Sequence, residues 1–232
     1  MGMPRSKYVK DGEAGVYHCY SRCVRRAFLC GFDPLTGRDF SHRKELLLER
    51  LRFLATVFAV DVCAYAIMVN HYHVILRLRP DIVARWSDWE VARRWLTLFP
   101  KHRKLRGAMA LPLEEDIRAL ADQPERIAVL RSRLSNLSWF MGRLNAFIAR
   151  AANKEDEVKG CFWESRFKCM ALLDEIAAIC CMVYVDLNLI RAGVAATPEE
   201  SDFTSIQERI RAWRQEMMMA VSSAGQSDED ME

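Results

Sequence analysis

A chain of 232 residues is long enough to bury a substantial core, and it can do so as one domain with insertions. At 51% hydrophobic and 28% charged it has the balance of a globular protein in water, and no apolar run reaches the roughly 18 residues of a membrane span, so no membrane partner is expected. The net charge of +3 is a weak sign of a polyanionic partner, but its distribution is uneven: Arg5, Lys7, Lys10, Arg22, Arg25 and Arg26 crowd the N-terminal region and a second basic stretch runs from Arg126 to Lys168, against an acidic C-terminal tail.

Taken in chain order, residues 1–15 lack the apolar core of a secretory signal, which makes the cytoplasm the expected compartment. Residues 15–22, GVYHCYSR, are β-branched and aromatic and read as a first strand. A turn-rich loop, GFDPLTGRD, leads to an amphipathic helix over about 41–57. VDVCAYAIMVNHYHVILRLRP then reads as a hairpin folded at Val69 and Asn70. Residues 81–123 are helical in flavour but broken by Pro100, Gly107 and Pro112, an inserted segment without an assigned role.

One long helix is expected over about 124–152, where apolar residues recur at three- and four-residue steps. GCFWESRFKCMALL supplies a turn and a further strand. Asp174 is the expected N-cap of a last helix ending at Gly193, with Ile176, Ile179, Cys180, Val183, Leu187 and Ile190 as its core stripe. The domain is expected to occupy 1–216, followed by a disordered acidic tail over 217–232. This order suits an α+β, ferredoxin-like antiparallel sheet covered by helices on one face. The eight cysteines form no CxxC pair and sit among apolar residues, so they read as small buried hydrophobes.

Two pairs of residues can carry chemistry. His71 and His73 sit one residue apart on a strand, so both imidazoles project from one face while Tyr72 points the other way. That spacing suits a metal pair, and it also occurs in ordinary surface or core histidines. Tyr184 and Asn188 are four apart on the last helix and share a stripe. A tyrosine at a core boundary normally packs, whereas an asparagine within a helix is a mediocre helix former whose carbonyl oxygen is a hard ligand. Two imidazoles and one amide oxygen would leave open positions for a phosphate, and a phenol beside them is the nucleophile that phosphodiester cleavage by tyrosine requires.

MVNHYHVILRL resembles the HUH motif of the single-tyrosine transposases, with Tyr72 as the bulky central residue. GVYHCYSRCVRR, GCFWESRFKCMAL and CMVYVDLNLIRAGV resemble blocks of the branch called REP-associated tyrosine transposases, and the similarity spans 15–28, 60–79 and 134–206. The resemblance implies that His71 and His73 hold a divalent cation, magnesium or manganese, that Tyr184 is the nucleophile, and that Asn188 is the third ligand. It implies a metal-dependent endonuclease and strand transferase acting through a 5′-phosphotyrosine on single-stranded DNA flanking a hairpin, as a monomer or homodimer. Arg22, Arg25, Arg26, Trp163 and Arg166 are the expected nucleic-acid contacts, Arg166 to phosphate and Trp163 either stacked on a base or packed against the sheet.

The chain departs from the branch at Val69 and Leu189, where proline is usual, and in longer segments around 30–40 and 81–123. Two other readings remain. One is a catalytically silent member that binds structured single-stranded DNA or RNA. The other is a small helical regulatory protein in which His71-x-His73 is adventitious.

Overall fold

The computed structural model describes residues 8–10, 12–24, 28–101 and 111–229. Strand β1 (Gly15–Arg22) matches the first apolar run. The turn-rich loop forms a two-stranded ribbon, β2 (Phe32–Asp33) and β3 (Arg38–Asp39), its turn held by Asp33, which accepts from the Thr36 hydroxyl and the Leu35 N–H at 2.6 and 2.9 Å. Helix α1 (His42–Val57) follows, then the hairpin β4 (Val60–Ile67) and β5 (His71–Leu78). The inserted segment contributes α2 (Pro80–Arg85), α3 (Asp88–Leu98) and α4 (Glu114–Ala121). Next come α5 (Pro124–Leu134), α6 (Leu137–Glu155), β6 (Lys168–Leu172), α7 (Glu175–Asp186), α8 (Asn188–Arg191) and α9 (Ser205–Glu229).

The four long strands pair antiparallel in the order β4-β5-β1-β6, the ferredoxin-like arrangement. Side-chain alternation gives the sheet two working faces. Tyr17, Cys19, Tyr72, Val74 and Leu76 point into the main core, where α1 and α6 supply Leu47, Leu54, Phe140 and Leu144. The inserted helices join the same core through Val91, Leu96, Ile117 and Leu120. A second, smaller core lies on the other face, where Val185 and Leu189 pack against Ala64, Ala66 and Ile75. The sheet is thus covered on both faces, whereas sequence patterning suggested one.

Four expectations are corrected. The helix over 124–152 is two helices: Asn136 leaves helical geometry and accepts from the Trp139 N–H at 3.1 Å, capping a new start at α6. The last helix is likewise broken at Leu187, next to Asp186, whose carboxylate is held by Ser205 and Arg209. Its expected core stripe is turned outward, with Ile176 75% exposed, while Val185 is fully buried. Helix α7 is apolar nearly all round, so helical periodicity selects no face and the small Ala64 and Ala66 decide which side approaches the sheet. The acidic stretch read as disordered continues α9 to Glu229, as its Met, Ala, Gln and Glu residues permit.

The cysteines are free, and Cys161 and Cys180 are exposed against expectation. Burial pushes the Cys23 and Cys30 thiols up to about 12 and about 11, which keeps both protonated and inert. Among the described residues no helix is long and apolar enough to cross a membrane.

Among the described residues Arg43 is the one arginine or lysine sealed inside, at 1% exposure, and it ties α1 to the end of α6. Its guanidinium donates to Glu155 at 2.8 Å, to Asp156 at 2.6 Å and to the Phe28 carbonyl at 2.9 Å. Replacing it by alanine strands three acceptors, and Arg43→Ala is expected to lower unfolding free energy by about 3 kcal/mol, the low end for a broken buried pair because both carboxylates retain some water contact. Chemical denaturation of the two proteins measures this, and a change under about 1 kcal/mol would contradict a structural role for the pair.

Candidate active site

The second face of the sheet carries an uneven strip of polar residues at the end of β1 and the start of β5. Antiparallel register sets Tyr20 opposite His73 and Arg22 opposite His71, so the alternating residues of both strands converge on one patch. His71 and His73 project from this face together, with ring centroids 5.0 Å apart, and Tyr72 projects into the main core. There the Tyr72 hydroxyl donates to Asn145 Oδ1 at 2.6 Å.

A third imidazole, which sequence reasoning passed over, completes the patch. His18 lies diagonally across from His73, with its Nε2 2.9 Å from His73 Nδ1 and the two rings stacked at 5.0 Å. One of these nitrogens donates and the other accepts. His71 Nδ1 lies 2.6 Å from Asn70 Oδ1, so that nitrogen carries the proton and leaves His71 Nε2 with its lone pair free. His73 Nε2 keeps a free lone pair in the tautomer in which His73 Nδ1 is the donor to His18. Burial holds His73, 7% exposed, down to about 3, with the neighbouring His18, His71 and Arg22 adding to the effect. Burial also lowers His18, and burial followed by Arg22 lowers His71. All three imidazoles are therefore neutral at pH 7, the form that binds a cation.

Tyr184 overhangs this patch from α7. Its ring stands edge-on to His73 at 6.2 Å and to His18 at 6.4 Å, and the Arg191 guanidinium lies 4.8 Å over its centre. Asp174 caps the helix by accepting from the Ala177 N–H at 2.7 Å. At the other end Asp186 accepts from the Ser205 hydroxyl at 2.8 Å and from Arg209, and Ser205 Oγ accepts from the Tyr65 N–H at 3.0 Å. That chain of bonds pins the Tyr184 helix to strand β4. Asp186 and His18 thus act on the site through others, and the period-two alternation of GVYHCYSR was the available signal for His18.

Together these side chains line a cleft of about 450 Å³, in which Arg22, Arg166 and Lys168 face the histidines and Tyr184. The cleft opens onto a groove of about 1880 Å³ along edge strand β6 that shares Tyr184, Arg166 and Lys168 with it. Of the six tyrosines, burial raises the phenols of Tyr17, Tyr65 and Tyr72, Tyr8 donates to the Cys169 carbonyl at 2.9 Å, and only Tyr20 and Tyr184 line the cleft. Tyr184 is the more open of these two, at 41% exposure.

Other expected residues fall elsewhere. Asn188 begins α8, one turn beyond Tyr184, and its side chain is not part of the cleft lining. Trp163 packs: its indole N–H donates to the Asn145 carbonyl at 2.9 Å and its ring stands edge-on to Tyr72 at 5.7 Å. Arg25 and Arg26 lie outside the described residues. Among the described residues, no group of three or more His, Cys, Asp and Glu side chains is placed to hold an ion. The cleft offers a cation the neutral imidazoles of His71 and His73 and, from the same lining, the Glu164 carboxylate, a nitrogen and oxygen donor set that fits a divalent metal.

No protein-family model and no curated protein matches this chain. Among solved structures it is similar to that of a REP-associated tyrosine transposase bound to a REP hairpin, with a TM-score of 0.52 over 91% of this chain and 86% of that one. Sequence identity is 11%, so the likeness is one of fold: an antiparallel four-stranded sheet with helices packed on it.

Three depressed imidazoles make stability depend on pH in one direction. Each is harder to protonate in the folded chain than the usual histidine value of 6.5, so the unfolded chain takes up more protons below that value. The stability present above about pH 6.5 drains as pH falls toward about 3, at up to about 1.4 kcal/mol per pH unit for each imidazole that stays neutral in the fold. Urea denaturation of metal-free protein between pH 7 and pH 4 is expected to show this loss, flattened in a His18→Gln/His73→Gln variant. Equal slopes in the two proteins would contradict the burial argument.

Proposed function

We propose that this chain is a tyrosine-dependent single-stranded DNA endonuclease and strand transferase, a transposase-like enzyme whose nucleophile is Tyr184. The observation that carries the reading is the shared cleft: an accessible phenol beside two neutral, oriented imidazoles and three cationic side chains, on a sheet with the fold of a tyrosine transposase. Each part has a chemical task. Arg22, Arg166 and Lys168 draw a phosphodiester into the cleft and hold its non-bridging oxygens. The Tyr184 phenol gives up its proton to solvent as its oxygen attacks phosphorus, a P–O bond to the phenol forms, and the bond to the 3′-oxygen of the upstream nucleotide breaks as that oxygen takes up a proton from solvent. The resulting 5′-phosphotyrosine keeps the bond energy of the cleaved link, so a 3′-hydroxyl of another strand can reverse the step.

His71 and His73 would hold a magnesium or manganese ion whose other positions oxygens would fill, and that ion would polarise the phosphate and stabilise its developing charge; Asn188, outside the cleft lining, is not assigned to it. His18 and Asn70 set the tautomers of the pair. The substrate is a single strand beside a hairpin, because a cleft of this size admits an unstacked nucleotide and not a duplex.

Tyr184→Phe keeps the ring against His73 and removes only the oxygen. Hairpin binding and thermal midpoint are expected to change little, while the denaturation-resistant adduct with 5′-flanked hairpin DNA disappears. A surviving adduct, or a phosphoryl group mapped by mass spectrometry to Tyr20, would overturn the assignment. Loss of the metal pair is a separate test. His71→Ala/His73→Ala is expected to abolish cleavage with the fold intact, and Asn188→Ala, outside the cleft lining, to leave the manganese requirement unchanged. Undiminished cleavage in excess chelator would remove the cation from the mechanism.

A further inference from the structure

Across the sheet from the cleft, α1, α3, α5 and α6 present a ladder of arginines and aromatic rings. Arg50 lies 4.7 Å over both Phe53 and Phe147. Arg143 lies over Phe99 and Trp139 at 5.4 and 5.7 Å, and Arg133 over Trp139 and Trp95 at 4.6 and 5.6 Å. Trp95 in turn meets Phe99 at 4.7 Å with the rings tilted by 41° and meets Trp139 edge-on at 5.5 Å, so the rungs join into one surface. These rings rest on the main core and are therefore rigid.

The charge on this surface is not compensated. Arg50, Arg133, Arg143 and nearby Arg150 make no salt bridge among the described residues, although the adjacent Arg94 and Arg93 are both engaged by Glu90. The buried Nε groups of Arg50 and Arg143 have no hydrogen-bond acceptor. Burial and the repulsion of Arg150 and Arg143 bring Arg50 down to about 10, which still leaves it charged at neutral pH. Half-buried cations that repel one another and lack acceptors are costly unless a polyanion meets them. The stacking also limits what that polyanion can be. With guanidiniums over Phe53, Phe147, Trp139 and Trp95, unpaired bases find those faces taken, whereas the terminal guanidinium nitrogens, not the buried Nε groups of Arg50 and Arg143, are the donors left for phosphate.

We propose that this ladder is a second nucleic-acid surface, one that takes the phosphate backbone of a base-paired DNA stem while the cleft takes the unpaired flank. The choice of DNA rests on the strand-transfer reading; the ladder itself does not. Contact is to backbone and shape, so it is sensitive to salt and indifferent to stem sequence.

The test titrates full-length protein with a fluorescent DNA hairpin bearing a single-stranded 5′ flank, at several salt concentrations. Arg133→Gln/Arg143→Gln is expected to weaken hairpin binding at least about tenfold and to reduce the slope of log K against log salt by about 2, close to 0.9 for each phosphate that the variant leaves unneutralised. Binding of an unstructured strand of equal length is expected to hold within about twofold. Unchanged affinity and slope in a folded variant would overturn the proposal, as would an equal weakening on the unstructured strand or tighter binding of an RNA stem of the same sequence. Should the glutamine pair fail to fold, modification of wild-type arginines by a dicarbonyl reagent decides: hairpin DNA is expected to protect Arg133, Arg143 and Arg150, and no protection would overturn it. Tyr184→Phe separates the two readings, since it is expected to lose the adduct and keep this hairpin affinity and salt slope.

Discussion

The constraint on which the site depends is that the sheet is buried on both faces. A strand pair bearing three histidines would be an ordinary solvated edge if helices covered only the opposite side. Helix α7 lies close because Ala64 and Ala66 leave room for it, and Val185 and Leu189 fill that room against Ile75. This contact stabilises the helix by removing apolar surface from water, and it also brings a partly exposed tyrosine to the edge of a desolvated imidazole cluster. Packing and chemistry therefore share one cause. The bonds from Asp186 to Ser205 and Arg209 then fix where along the sheet the helix sits.

Electrostatics divides the molecule by face. On the second face the imidazoles are neutral because burial and each other's company disfavour the proton, and charge is supplied by Arg22, Arg166 and Lys168 at the cleft rim. Neutral imidazoles with cations around them would suit the proposed metal and phosphate chemistry. On the first face the arginines are held by aromatic rings with no carboxylate, which keeps their hydrogen-bonding edges available. Arg43 shows the opposite use of the same residue, sealed away from solvent against Glu155, Asp156 and the Phe28 carbonyl.

Local patterning was enough for much of this. Strand β1, the hairpin of β4 and β5, the Asp174 cap and the turn at Gly193, whose φ is +67°, follow from residues within a few positions of one another. The shared projection of His71 and His73 follows from the period of a strand. Those relations are short in sequence, so the residues themselves determine them.

What crosses the chain was decided only by folding. The diagonal contact of His18 with His73 joins residues 55 apart and requires the β1–β5 register. The exposed face of α7 was misread because its residues are apolar on every side, and a stripe is defined only by what packs against it. The break at Asn136 turned on a cap bond competing with helix continuation, a balance that propensity alone does not resolve. The sequence by itself therefore determined which side chains can be ligand, nucleophile or phosphate contact. Which of them meet, which imidazole nitrogens stay free and which cations remain unpaired were decided by tertiary packing, because desolvation and long-range register exist only in the folded chain.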